Sequence, residues 1–153
     1  MFQQPPLNQH PKVLINIILI NPNETKILFV KKENKSYWKL LGHTLEYGET
    51  FEQRIREIMS ETTFQPENNI FDKIKYICSI NAVDKEKKRH FVELIYAMKT
   101  EEGKKIFVNS NIFKYRWMTM KDIKAEKLFF GFEKFIEKYN IKEIKDILKI
   151  KSI

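Results

Sequence analysis

The sequence predicts an α/β (α+β) fold in which helices pack on a mixed sheet, and three observations lead there. Val13-Leu14-Ile15-Asn16-Ile17-Ile18-Leu19-Ile20 is a nearly unbroken apolar, largely β-branched run, too short and too rich in Ile for a comfortable helix. It reads as a buried central strand. From Thr50 the apolar spacing becomes helical, returns to strand-like runs between Asp72 and Met118, and becomes helical again from Leu128 to Tyr139. Finally, 153 residues with 42% hydrophobic and 13% aromatic side chains suit one globular domain with a real core and exclude a disordered chain.

Taken in order, residues 1–11 form an extended lead-in that lacks the basic start and apolar run of a secretory signal. After the first strand, Asn21-Pro22-Asn23 signals a turn and Lys26 to Lys32 its hairpin partner. A polar loop from Glu33 to Ser36 leads to Tyr37-Trp38-Lys39-Leu40, expected as a short strand. Beyond the first helix, Asp72 to Val83 alternates as a strand with Ile74, Tyr76, Cys78 and Ile80 on one face. Asp84 to Arg89 is a charged hairpin tip, Phe91 to Met98 the returning strand, Thr100 to Lys105 a surface loop, and Ile112 to Met118 a further strand. Leu128, Phe132, Phe135, Ile136 and Tyr139 make the apolar side of a second helix. Residues 141–153 repeat this pattern as an amphipathic basic tail that packs on or extends the domain at 12–140.

Charge and cysteine content narrow the function. A formal charge of +8 favours an anionic ligand through long-range steering. The lysines alternate with acids such as Glu143 and Asp146, however, which describes a solvated face better than a membrane-surface helix. No stretch reaches membrane-spanning length, so no membrane span is expected. The single Cys78 cannot form an internal disulfide, in keeping with a reducing, intracellular, cytoplasmic setting.

The chemistry concentrates between Trp38 and Phe64. Thr50-Phe51-Glu52-Gln53 has the form of a capping box, which starts a helix at Thr50. Phe51, Ile55, Ile58, Met59 and Thr62 then make one stripe facing the sheet, while Arg54, Glu57 and Glu61 share another side. Glu57 and Glu61, four residues apart, repel each other unless something positive intervenes. That is either a Mg²⁺, which takes one or two carboxylates and completes its shell with water and phosphate oxygens, or a basic side chain such as Arg54.

Gly42, then Glu46-x-Gly48-Glu49-Thr50, then Arg56-Glu57-x-x-x-Glu61 resembles the Nudix box. The family pattern is Gly-x5-Glu-x7-Arg-Glu-U-x-Glu-Glu-x-Gly-U, where U is a bulky apolar residue. The resemblance extends to a hairpin before the box, paired strands after it, the aromatic strand Tyr115-Arg116-Trp117-Met118 and the helix opening Leu128-Phe129-Phe130-Gly131-Phe132, and so covers most of 12–140. It implies a Nudix-type α/β/α sandwich and a Mg²⁺- (or Mn²⁺-) dependent pyrophosphohydrolase whose substrate is a nucleoside triphosphate, a nucleoside diphosphate-linked compound or another small anionic diphosphate. On that resemblance Glu57 and Glu61 are catalytic metal ligands, the Gly42 carbonyl is a further metal oxygen, and Glu49 and Arg56 form a structural ion pair. Glu93, Glu101 or Glu102 is a candidate for an additional metal carboxylate. His43 either touches a phosphate or fills the space of a glycine, and Trp117 and Phe132 either stack on a nucleobase or belong to the core.

The box is degenerate. Leu41-Gly42-His43 stands where the family has Pro-Gly-Gly, Ser60 replaces a Glu, and six residues separate Glu49 from Arg56 instead of seven. One missing residue rotates a helix by about 100°, which leaves two registers. If it is absorbed near the helix start, Arg56-Glu57-Ile58 matches Arg-Glu-U and both Glu57 and Glu61 are ligands. If the helix runs unbroken from its cap, Glu57 falls on the Arg position and Glu61 alone survives. The alternative to a weakened hydrolase is a non-catalytic Nudix-fold module that binds a nucleotide, RNA or a protein partner.

Overall fold

In the computed structural model, which describes residues 10–62, 70–101 and 114–151, the β-branched run becomes β1 (Lys12–Ile20), the middle of a six-stranded sheet. The other strands are β2 (Ile27–Lys31), β3 (Leu41–Thr44), β4 (Lys75–Asp84), β5 (Arg89–Lys99) and β6 (Lys114–Met118). Along one edge β1 pairs in parallel with β5 over its whole length, from Lys12 opposite Phe91 to Ile20 opposite Lys99. Its other edge is shared: β3 pairs antiparallel with Leu14 to Ile17, and β2 meets β1 at Ile20 and Ile27. The sheet is therefore mixed, in the order β4-β5-β1-β2-β6 with β3 beside β1.

Alternation along β1 builds two cores. Ile15, Ile17 and Leu19 face one side, where they pack with Ile55, Ile58 and Met59 of α1 (Phe51–Ser60) and Ile70 of the short α2 (Ile70–Lys73). Ile18 and Ile20 face the other, against Phe132 and Phe135 of α4 (Phe130–Lys138), Ile123 of α3 (Met120–Ala125), and Ile141 and Ile144 of α5 (Ile141–Lys151). Helices thus cover both faces, an α/β/α sandwich.

Several elements differ from the sequence expectation for local reasons. Tyr37 to Leu40 makes only isolated bridges, Lys39 with Val30 and Trp38 with Leu128, and the strand proper begins at Leu41. Two backbone bonds join Val30 and Lys39, and two more tie Trp38 to Lys127 and Phe129, so this segment links β2 to the approach to α4. The stretch expected as strand from Asp72 opens with the end of α2, and a register shift between Tyr76 and Cys78 turns Ile77 inward while Tyr76 is exposed. Phe51 is also exposed, although Ile55, Ile58, Met59 and Thr62 of the expected stripe are buried. Helix α3 was not anticipated. Its signal is legible in Thr119-Met120-Lys121-Asp122, a second capping box in which Thr119 and Asp122 satisfy each other's backbone amides. The lead-in through residue 9, Thr63, Phe64, Glu102, the rest of the loop to Lys105, and Ile112 and Phe113 lie outside the described residues.

Candidate functional site

The turn and helix of the box fold as their local chemistry dictates. Gly48 takes φ +84, a conformation that L side chains rarely adopt, and Glu49 accepts the Glu46 amide at 2.7 Å across the same turn. Thr50 then caps α1: its hydroxyl accepts the Gln53 amide at 3.1 Å while the Gln53 side chain accepts the Thr50 amide at 2.9 Å. The helix runs from this cap to Ser60 with Glu61 as its C-cap.

Arg54 is the hub of this helix face. It donates to Glu49 through two nitrogens and lies 3.1 Å from the Glu57 carboxylate. Its guanidinium holds the Glu49 carboxyl below the usual carboxylate range. The sequence assigned Arg56 to Glu49, but Arg56 instead lies over the Phe71 ring at 4.8 Å. An unbroken helix from Thr50 turns position 54 toward the preceding loop and position 56 toward α2.

Glu57 is largely exposed at its tip, beside Arg54. Glu61 points back to β3 and meets the His43 imidazole. Gly42 comes so close to β1 that a Cβ there would lie 1.9 Å from Asn16 Oδ1 and 2.5 Å from the Ile15 carbonyl, which explains a glycine at this position. Its own carbonyl accepts a hydrogen bond from Lys39 Nζ at 3.1 Å. Burial first, and then the neighbouring Lys32, lowers the Lys39 pKa to about 8, while the charge of Glu61 works in the opposite direction.

A Mg²⁺ at this place would have to draw on the Gly42 carbonyl, Glu57 and Glu61. As arranged, each faces a nitrogen group instead of a common point: an ammonium, a guanidinium and an imidazole respectively. With the Lys39 ammonium on the Gly42 carbonyl, this arrangement does not suit a divalent cation. Among the described residues no cluster of three or more His, Cys, Asp or Glu has metal-binding geometry. Glu101 pairs with Lys73 at 2.6 Å. Glu93 is fully buried, with Asn16 Nδ2 donating to Oε1 at 2.8 Å and Oε2 lacking a hydrogen-bond partner.

A pocket of about 170 Å³ lies among β1, the β2–β3 connection, β5 and the start of α4. Lys32, Lys35, Tyr37 and Lys39 form one wall, Leu14, Asn16 and Thr44 line its strand side, and Phe91, Phe129 and Phe132 line the rest. Phe129 packs against Tyr37 at 5.7 Å and against Phe91 at 5.6 Å between ring centroids. Of the sequence-assigned substrate residues, Phe132 reaches the pocket, although it is also a core residue packed edge-on against Phe29. Trp117 packs with the α1-side core and is not among the lining residues. Sequence reasoning missed Asn16, Lys39 and the lysine wall. The available signals were one amide inside an apolar strand, and Lys32, Lys35 and Lys39 set among aromatics in one connection.

Residues 10–139 match the NUDIX domain, and the chain belongs to the Nudix family. The fold is shared with the NUDIX domain of Shewanella oneidensis NrtR, solved with ADP ribose (17% identity, 91% of this chain and 89% of that one, TM-score 0.67). It is also shared with the MutT NUDIX hydrolase of Burkholderia pseudomallei (16%, 86% and 99%, TM-score 0.66) and the C-terminal domain of mouse MUTYH, solved with human PCNA (11%, 90% and 91%, TM-score 0.63). No curated protein matches the chain by sequence. No helix among the described residues is long and apolar enough to cross a membrane.

Proposed function

We propose that this chain is a Nudix-fold module that binds a nucleotide carrying a diphosphate group, and that binding rather than hydrolysis is what its site is built for. The observation that carries this reading is the pocket itself, lined by three lysines together with aromatic rings. Phe129 and Phe91 offer faces and edges for a nucleobase, and Lys32, Lys35 and Lys39 offer ammonium donors for phosphate oxygens. Base stacking on an aromatic contributes about 1–3 kcal/mol. The NrtR domain solved with ADP ribose makes a diphosphate-linked nucleoside a reasonable first ligand.

Titration with ADP ribose, ADP and ATP at low salt tests this reading. Wild type is expected to bind at least one of them, and Phe129→Ala to weaken it by roughly tenfold. Equal affinity in the two proteins would remove the pocket from the account.

The Mg²⁺- or Mn²⁺-dependent hydrolase remains as a second reading, resting on Glu61, which alone of the two helix carboxylates reaches back to β3. Phosphate or pyrophosphate release by wild type, lost in Glu61→Gln, would support it. Equal silence of both, with nucleotide still bound, would leave the binding module. Salt-sensitive RNA binding that survives Phe129→Ala would point to the basic surface instead.

A further inference from the structure

The Gly42 carbonyl is a backbone oxygen of the kind a metal would take, yet the group that meets it belongs to the chain. Lys39 Nζ donates to the Gly42 carbonyl at 3.1 Å, and the same side chain lines the pocket with Lys32 and Lys35. Glu61 meets the His43 imidazole and Glu57 the Arg54 guanidinium, so Lys39 is the group on that carbonyl. An ammonium has three donors and no acceptor. With one donor on the Gly42 oxygen, the others suit acceptors entering from the pocket, and a phosphate oxygen is such an acceptor. A divalent cation could share this carbonyl only at the cost of strong repulsion from Lys39 in a poorly hydrated place.

We propose that Lys39 is the resident cation of this site, holding the Gly42 carbonyl and receiving the diphosphate of the bound nucleotide, so that binding needs no divalent metal. This rests on the nucleotide-binding reading given above. Its sequence basis is specific. Lys39 is the residue after Trp38, whose backbone is tied to Lys127 and Phe129, and its own backbone is tied to Val30. The ammonium is thus delivered from a fixed segment, and Lys39→Met keeps most of the stem while removing the charge.

Two measurements on the full chain test the proposal. In the first, ADP affinity is compared in EDTA and in Mg²⁺ for wild type, Lys39→Met and Lys39→Arg, with thermal melts confirming folding. The expected result is equal wild-type affinity in both buffers, a roughly ten- to hundredfold loss in Lys39→Met, and partial rescue in Lys39→Arg. A wild type that binds ADP only with Mg²⁺, or a Lys39→Met that binds ADP as wild type does in EDTA, overturns the proposal. The second measurement uses Mn²⁺ alone, read by water-proton relaxation. Wild type should show no site, and Lys39→Met should gain one that Glu61→Gln removes again. A wild-type Mn²⁺ site unchanged by Lys39→Met overturns the proposal. Because this arm contains no nucleotide, it decides the role of Lys39 even if ADP fails to bind and the nucleotide reading falls.

Discussion

Glu93 shows how one side chain couples the pocket floor to stability. It sits at full burial beneath α4, with Asn16 as its hydrogen-bond donor and a second oxygen without one. Burial pushes its pKa up to about 7, with the Asn16 bond pulling the other way. An unfolded Glu titrates near 4.3, so between that value and about 7 the folded chain holds a proton that the unfolded chain has released. The stability from the neutral, buried carboxyl is therefore fully present below pH 4 and is lost as pH rises through about 7, a change of roughly 3 kcal/mol. Denaturant melts at pH 5 and pH 8 should show wild type weaker at pH 8. Glu93→Gln should flatten most of that difference, and an unchanged slope in the variant would show that Glu93 is not its source. Asn16 joins this pair to the site, since its Oδ1 packs where a Gly42 side chain would be.

At the scale of elements, α1 decides what its carboxylates can do. The capping box sets the first turn at Thr50, and from there helical geometry carries Arg54 to Glu49 and Glu57, and Glu61 to His43. The Glu49–Arg54 pair belongs to neither register, since one gives Glu49 the partner Arg56 and the other puts Glu57 in the arginine's place. Arg54→Met should lower the melting temperature clearly, because it leaves the loop carboxylate Glu49 without its guanidinium. Arg56→Met should cost less, since Arg56 covers only the Phe71 ring. Equal destabilisation by the two, measured by thermal melts, would contradict this division. The connection from Lys32 to Leu40 is the other decisive element. Pinned at Val30 and at Lys127 and Phe129, it turns three lysines and Tyr37 into a pocket wall.

For the whole molecule, the two-sided core sets the position of every site residue. The α1-side core packs the helix that leads to Glu61, and the α4-side core includes Phe132, which also lines the pocket. The C-terminal helix belongs to this second core: Ile144 is fully buried and Ile141 nearly so. Ile144→Ala should cost about 2–5 kcal/mol in denaturant melts. A cost near zero would show α5 to be an appendage. The net charge of +8 adds a general attraction for anions, so nucleotide affinity should fall as salt rises, with the lysine wall as its main source.

What the sequence by itself determined were the features fixed by local rules. The β-branched run had to be a buried strand, Thr50 and Gln53 had to cap a helix, Ile55, Ile58 and Met59 had to face a sheet, and the box marked the family. Tertiary structure alone decided which cation meets which anion. Arg54 and Arg56 lie two residues apart in one helix, and only the packing of the loop on one side and α2 on the other assigns them different partners. Lys39 is unremarkable in sequence and becomes central because β3 brings the Gly42 carbonyl to within hydrogen-bonding reach of it. A pattern of residue types records what each position can do. Coulomb and hydrogen-bond energies depend on distance and burial, and the fold alone supplies those.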